Sequence, residues 1–137
     1  IHMFPGKTIF LKEGSHVGHG AIIHGANLGR NCLIGMNSVI MDDAVIGDQS
    51  IVGAMTFVKA ASVFPKRSLI VGNPAKVIKE VSDEMLNWKT AGTKLYQQLP
   101  ADCYESLKEV EPLRELPRNR PKQEDFYKTF REIKNKK

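Results

Sequence analysis

An apolar residue recurs at every sixth position from Leu28 to Ile70: Leu28, Ile34, Ile40, Ile46, Val52, Val58, Phe64 and Ile70. Two residues before each stands a small one, in order Ala26, Cys32, Ser38, Ala44, Ser50, Thr56, Ser62 and Ser68. Gly29, Gly35, Gly47 and Gly53 follow four of the apolar residues. A period of six is no multiple of 3.6, so a helix cannot hold these residues on one face. A single strand could, but strands in small domains run to only about ten residues. The chain must therefore turn at every repeat. Short strands joined by tight turns, three hexads to a coil, make a triangular prism with the apolar residue on the axis and the small one at the corner. Glycine is expected to ease the backbone round the corner. Leu28 to Ile70 then forms two to three coils, stacked about 4.8 Å apart.

Upstream the phase slips. Val17 lies eleven, not twelve, residues before Leu28, and Ile22 and Ile23 are both apolar, so one residue is lost between Gly14 and Leu28. Before that, Phe4-Pro5-Gly6-Lys7 is a turn signal leading into a strand around Thr8-Ile9-Phe10-Leu11. Downstream, Gly72-Asn73-Pro74-Ala75 closes the last coil. Ser82-Asp83-Glu84 then reads as a helix start, with a hydroxyl to cap and acids in the first turn. Met85, Trp88, Leu95 and Leu99 fall at helical spacing and are expected to lie along the prism, with Pro100 ending the helix and a second short helix over Cys103 to Leu113. The domain reading is a β-helix over residues 1–80, a helical segment over 81–116 and a charged tail over 117–137. Ile1 in place of methionine is read as the start of a native segment whose upstream coils are missing.

Composition bounds the rest. At 42% hydrophobic content no run approaches the roughly 20 apolar residues of a membrane span. Cys32 and Cys103 form no framework, Cys32 fills a corner slot, and a reducing, cytoplasmic setting is expected. The net charge of +5 sits mainly in residues 111–137, where nine Lys/Arg face five Asp/Glu. No basic patch there is interleaved with a nucleic-acid-binding motif, so neither nucleic acid nor membrane is expected as a partner.

All four histidines, His2, His16, His19 and His24, lie in the first 24 residues. Residues about eighteen apart stack on one side of a three-sided coil, and residues about six apart lie on adjacent sides. His2 and His24 are 22 apart, and the Phe4 to Lys7 turn can absorb the excess, which brings the two within about one coil step. His19, five residues from His24, should point elsewhere. Side-by-side packing of three copies would let His2 and His24 of one chain meet His19 of the next. Three imidazoles with one open position form a catalytic zinc arrangement.

Val17-Gly18-His19-Gly20-Ala21-Ile22-Ile23-His24-Gly25, followed by Leu33-Ile34-Gly35-Met36-Asn37-Ser38-Val39-Ile40-Met41-Asp42, resembles the signature of the γ-class carbonic anhydrase family of left-handed β-helix proteins. Gly72-Asn73-Pro74-Ala75, and the segment from Leu86-Asn87-Trp88-Lys89 to Thr93-Lys94-Leu95-Tyr96, are more similar still to the phenylacetate-degradation and carnitine-operon members. The resemblance implies an all-β left-handed parallel β-helix of hexapeptide repeats with a C-terminal α-helix, assembled as a homotrimer. It implies a metal at each interface, Zn²⁺ or in its place Fe²⁺, held by His2 and His24 of one subunit and His19 of the neighbour. His16 matches no ligand. Tyr96 matches a tyrosine of the closer subgroup and is the candidate catalytic residue; its alternative is a helix residue packed on the prism with its hydroxyl at the surface. The family's earlier coils, with Asn and Gln side chains serving the active site and an Arg/Asp pair at the trimer contact, are not among these 137 residues, so the resemblance covers the ligands but not that support.

The leading expectation is reversible hydration of carbon dioxide by metal-activated water. A second is acyl chemistry on coenzyme A esters, as transferase or thioesterase, with one histidine as general base. A transferase would survive chelation where the hydratase would not. The third is a trimeric scaffold without catalysis.

Overall fold

The computed structural model describes residues 1–120 and 127–135, which fall into two compact units, Ile1–Thr93 and Lys94–Lys137. In the first unit, two-residue strands repeat in register. They are β1 (Phe10–Leu11), β2 (His16–Val17), β3 (Ile22–Ile23), β4 (Asn27–Leu28), β5 (Leu33–Ile34), β6 (Val39–Ile40), β7 (Val45–Ile46), β8 (Ile51–Val52), β9 (Phe57–Val58) and β10 (Val63–Phe64), followed by the longer β11 (Ser68–Val71). Every third strand pairs in parallel, giving three sheets in the orders β1-β4-β7-β10, β2-β5-β8-β11 and β3-β6-β9. This is a parallel β-helix of three complete coils and part of a fourth.

From β2 to β10 the second residue of each strand turns inward, as does Ile70 in β11. Ile23, Leu28, Ile34, Ile40, Ile46, Val52, Val58 and Ile70 are buried, and Phe64 packs against them from the open lower coil. Each such aliphatic side chain contributes about 1.5–3 kcal/mol on leaving water. The corner residues Ala26, Cys32, Ser38, Ala44, Ser50, Thr56 and Ser68 are buried beside them.

The corner glycines act differently from the expectation. Left-handed backbone falls instead on Asn31, Asn37, Asp43, Gln49, Met55, Ala61 and Arg67, one per hexad. Gly29, Gly35 and Gly47 are needed for lack of space: a Cβ on any of them would come closer than 3.0 Å to the backbone of the next coil. The left-handed series continues upward as Gly25, Gly20 and Gly14. Its steps are six residues except from Gly20 to Gly25, which is five. The phase slip therefore sits in the turn His24-Gly25-Ala26, one residue shorter than its equivalent Met41-Asp42-Asp43-Ala44.

Past Gly72-Asn73-Pro74-Ala75 the chain reverses into β12 (Lys76–Glu80), antiparallel to β11. The helix α1 (Asp83–Ser106) follows. Its first part is fastened to successive coils. Arg67 Nη2 meets Asp83 Oδ1 at 2.6 Å beside β11, Thr90 Oγ1 accepts from Asn31 Nδ2 at 2.8 Å on the second coil, and Thr93 Oγ1 lies 3.3 Å from His16 Nδ1 on the first. Ten residues of helix rise about 15 Å, and three coil steps span about 14 Å, so this stretch keeps pace with the coils while running against their order.

Of the expected apolar stripe, Met85 and Trp88 are half-buried in the first unit, and Leu95 and Leu99 belong to the second. Lys89, Gly92 and Thr93 are the buried helix residues, whereas Leu95 and Leu99 are exposed. Small and hydrogen-bonding side chains suit a corner whose own residues are polar. Pro100 also fails to end the helix, which continues to Ser106 and absorbs the start of the short helix expected from Cys103; residues 107–113 are not helical. An exposed helix tolerates proline because water can bind the carbonyl it leaves without a partner. In the second unit, α2 (Phe130–Lys134) starts with a capping box between Thr129 and Glu132. Of the charged tail, residues 121–126 and 136–137 lie outside the described residues.

Candidate functional site

His2 and His24 come together at the upper end of the coil. Residue 2 bridges residue 24 in parallel register, with the His2 amide donating to the Ile23 carbonyl and the Gly25 amide to the His2 carbonyl, each at 3.0 Å. Their rings lie 5.3 Å apart between centroids, and His2 Nδ1 stands 3.3 Å from His24 Nε2. The Phe4 ring meets His24 edge-on at 4.9 Å.

Two aspartates on the β6–β7 turn support the pair. Asp42 Oδ1 lies 2.8 Å from His24 Nδ1, and both side chains are mostly buried, at 18% and 21% exposure. An ionised carboxylate only accepts, so this bond requires the ring proton on Nδ1 and leaves the Nε2 lone pair facing His2. Asp43 binds Lys7 Nζ through both carboxylate oxygens at 3.1 Å. That ion pair holds the Phe4–Lys7 turn, which folds His2 back over His24.

The other candidates lie apart. His19 is exposed on the β2–β3 turn, and among the described residues no three His, Cys, Asp or Glu side chains converge as a metal cluster. His16 faces Thr93 and lies near Lys89; burial, then the charges of Lys89 and His19, lower its pKa. Tyr96 is 60% exposed on the part of α1 that belongs to the second unit. The aspartates escaped sequence reasoning. Asp42 stands eighteen residues after His24, but the coil step here is seventeen residues, so Asp42 lies one residue past the position opposite His24.

The donor set fits a tetrahedral metal ion. Ligand bonds of 2.0–2.1 Å place two nitrogens about 3.3 Å apart, which is the His2–His24 separation. The imidazole whose tautomer can be read has its lone pair turned toward the gap.

Such a coil defines a class. The chain carries the hexapeptide repeat: residues 25–60 match the family described as bacterial transferase hexapeptide (six repeats). Among curated relatives it is 50% identical over 122 residues to the carnitine operon protein CaiE of Escherichia coli O157:H7, a match covering 89% of this chain and 62% of that protein. The chain thus spans less than two thirds of the length of the curated relatives it matches. Among solved structures, a Bacillus cereus protein described as an acetyltransferase superposes with a TM-score of 0.61 at 31% identity, over 72% of this chain and 61% of the other. A hexapeptide transferase family protein from Anaplasma phagocytophilum superposes at 0.57 with 22% identity, over 70% and 66%, and shares the fold. No helix among the described residues is long and apolar enough to cross a membrane.

Proposed function

We propose that this chain forms one part of an intersubunit metal centre in a γ-type carbonic anhydrase-like homotrimer that hydrates carbon dioxide reversibly. The observation that carries the reading is the 3.3 Å approach of His2 Nδ1 to His24 Nε2 with Asp42 behind His24. Two imidazoles leave a tetrahedral ion short of protein ligands, and exposed His19 of a neighbouring copy is the natural third. Imidazole donors suit zinc and also iron. A bound ion of this kind makes water nucleophilic at neutral pH. The chain's own part is to aim both imidazoles. Asp42 keeps the His24 proton on Nδ1, the Phe4 edge shields the ring from water, and the Lys7–Asp43 pair keeps His2 in place. The third ligand makes the site dependent on assembly.

The test is zinc and iron content per chain on untagged protein, read with its mass in solution. About one ion per chain in a trimer, with carbon dioxide hydration lost on chelation, supports the reading. A metal-free trimer overturns it. The likeness to the Bacillus cereus protein favours a second reading, acyl transfer from coenzyme A esters, in which a histidine serves as general base. Transfer from acetyl-coenzyme A that persists in chelator would select it.

A further inference from the structure

Asp42 and Asp43 are adjacent in sequence yet serve two different histidines. Asp42 reaches up one coil to His24, while Asp43, with a left-handed φ of 57°, turns its carboxylate to Lys7. Room for the first contact comes from the shortened turn. Gly25 sits directly over Asp42, and a Cβ there would collide with Asp42 Oδ1. With the usual extra residue and a side chain in this turn, the carboxylate could not lie beneath the ring.

We propose that Asp42 and Asp43 are positioning residues that set the His2/His24 pair in ligating geometry before any ion binds, Asp42 by fixing the His24 tautomer and Asp43 by clasping the Lys7 turn that carries His2. The proposal rests on the metal-centre reading for its purpose, but its geometry is testable without metal. In the metal-free protein His24 Nε2 accepts, so His2 Nδ1 is the donor of their contact. For His2 Nδ1 to serve as a ligand, that proton would have to move to His2 Nε2, which leaves the ring neutral.

The experiment uses the full chain, ¹⁵N-labelled and stripped of metal, in wild-type, Asp42→Ala, Asp42→Asn, Lys7→Met and Asp43→Asn forms. Asparagine is chosen at position 43 because it tolerates the left-handed backbone that alanine resists. Long-range ¹H–¹⁵N correlation should show His24 as the Nδ1–H tautomer in wild type, a shift toward Nε2–H in D42A, and substantial rescue in D42N, whose amide oxygen still accepts. The ring-to-ring NOE between His2 and His24 should weaken in K7M and D43N alike. Zinc affinity, measured by chelator competition, should fall roughly 10–100-fold in D42A and by no more than about fivefold in K7M, because the Lys7–Asp43 pair is half exposed. Retention of the Nδ1–H tautomer in D42A, or an unchanged NOE in K7M and D43N, overturns the proposal. Should wild type take up no zinc, the metal reading fails, while tautomer and NOE still decide whether these residues set the pair.

Discussion

Lys89 Nζ on α1 lies 2.6 Å from Asn31 Oδ1 on the second coil, and at the same distance donates to the Gly14 carbonyl on the first. The residue is 2% exposed, and among the described residues no carboxylate pairs with it. Burial pushes its pKa from 10.5 to about 8, against a smaller opposing effect of Cys32. Between those two values the unfolded chain binds more protons than the folded one, so stability rises with pH through that window and is flat below it. In Lys89→Met the two acceptors lose their donor, at a cost of about 1–3 kcal/mol. At pH 7 relief of the buried charge offsets this, and the variant should match wild type in urea. By pH 10 the relief has gone and the variant should be the less stable. A constant difference across pH 7–10 would mean that Lys89 is not buried as a cation.

Gly25 carries two constraints that can be separated. At φ 63° any side chain is strained, a cost of about 1–2 kcal/mol for alanine, and its Cβ would also strike Asp42. Gly6 has φ 80° and open space where a methyl group would stand, with nothing within 4 Å, so Gly6→Ala should lose the conformational part alone. Gly25→Ala should lose more than Gly6→Ala in unfolding midpoint and should also release the His24 proton from Nδ1, as D42A does. Equal losses would deny the steric role.

The axis of this fold was legible because burial on the axis is unforgiving: Leu28, Ile34, Ile40 and Ile46 have no substitute beyond another aliphatic residue, so the hexad shows in plain text. The His2–His24 approach was legible for a related reason, since the coil converts sequence separation into distance. Less visible was the basis of each corner. Asn31 and Ala61 share a left-handed backbone with Met55 and Arg67, so no one residue type marks it. Gly35 looks like a turn glycine but answers to the coil below. The buried face of α1 was misread because Lys89, Gly92 and Thr93 are not apolar, and helix periodicity searches only for apolar stripes.

Pro100 lies inside α1 where its ring removes one hydrogen bond and crowds the turn before it. Pro100→Ala should therefore slow amide exchange over residues 101–106 by an amount equivalent to about 1–3 kcal/mol, while exchange in β5 and β8 stays unchanged. An effect that reached those strands would mean that this end of the helix unfolds together with the coil.

The shared site makes a prediction that single substitutions cannot. If His2 and His24 come from one subunit and His19 from the next, His24→Ala and His19→Ala should each abolish metal uptake in a pure trimer. Coexpressed at equal levels, the two variants form mixed trimers. Wherever an H19A chain, which keeps His24, adjoins an H24A chain, which keeps His19, on the correct side, one intact site returns. Random assembly around a three-fold axis gives that arrangement at about one interface in four, so the coexpressed population as a whole should bind about a quarter of the wild-type metal. Recovery near that fraction requires ligands from two chains. No recovery, with the trimer intact by mass, would mean that one chain supplies the whole set; undiminished uptake by His19→Ala alone would make His19 only an exposed turn residue.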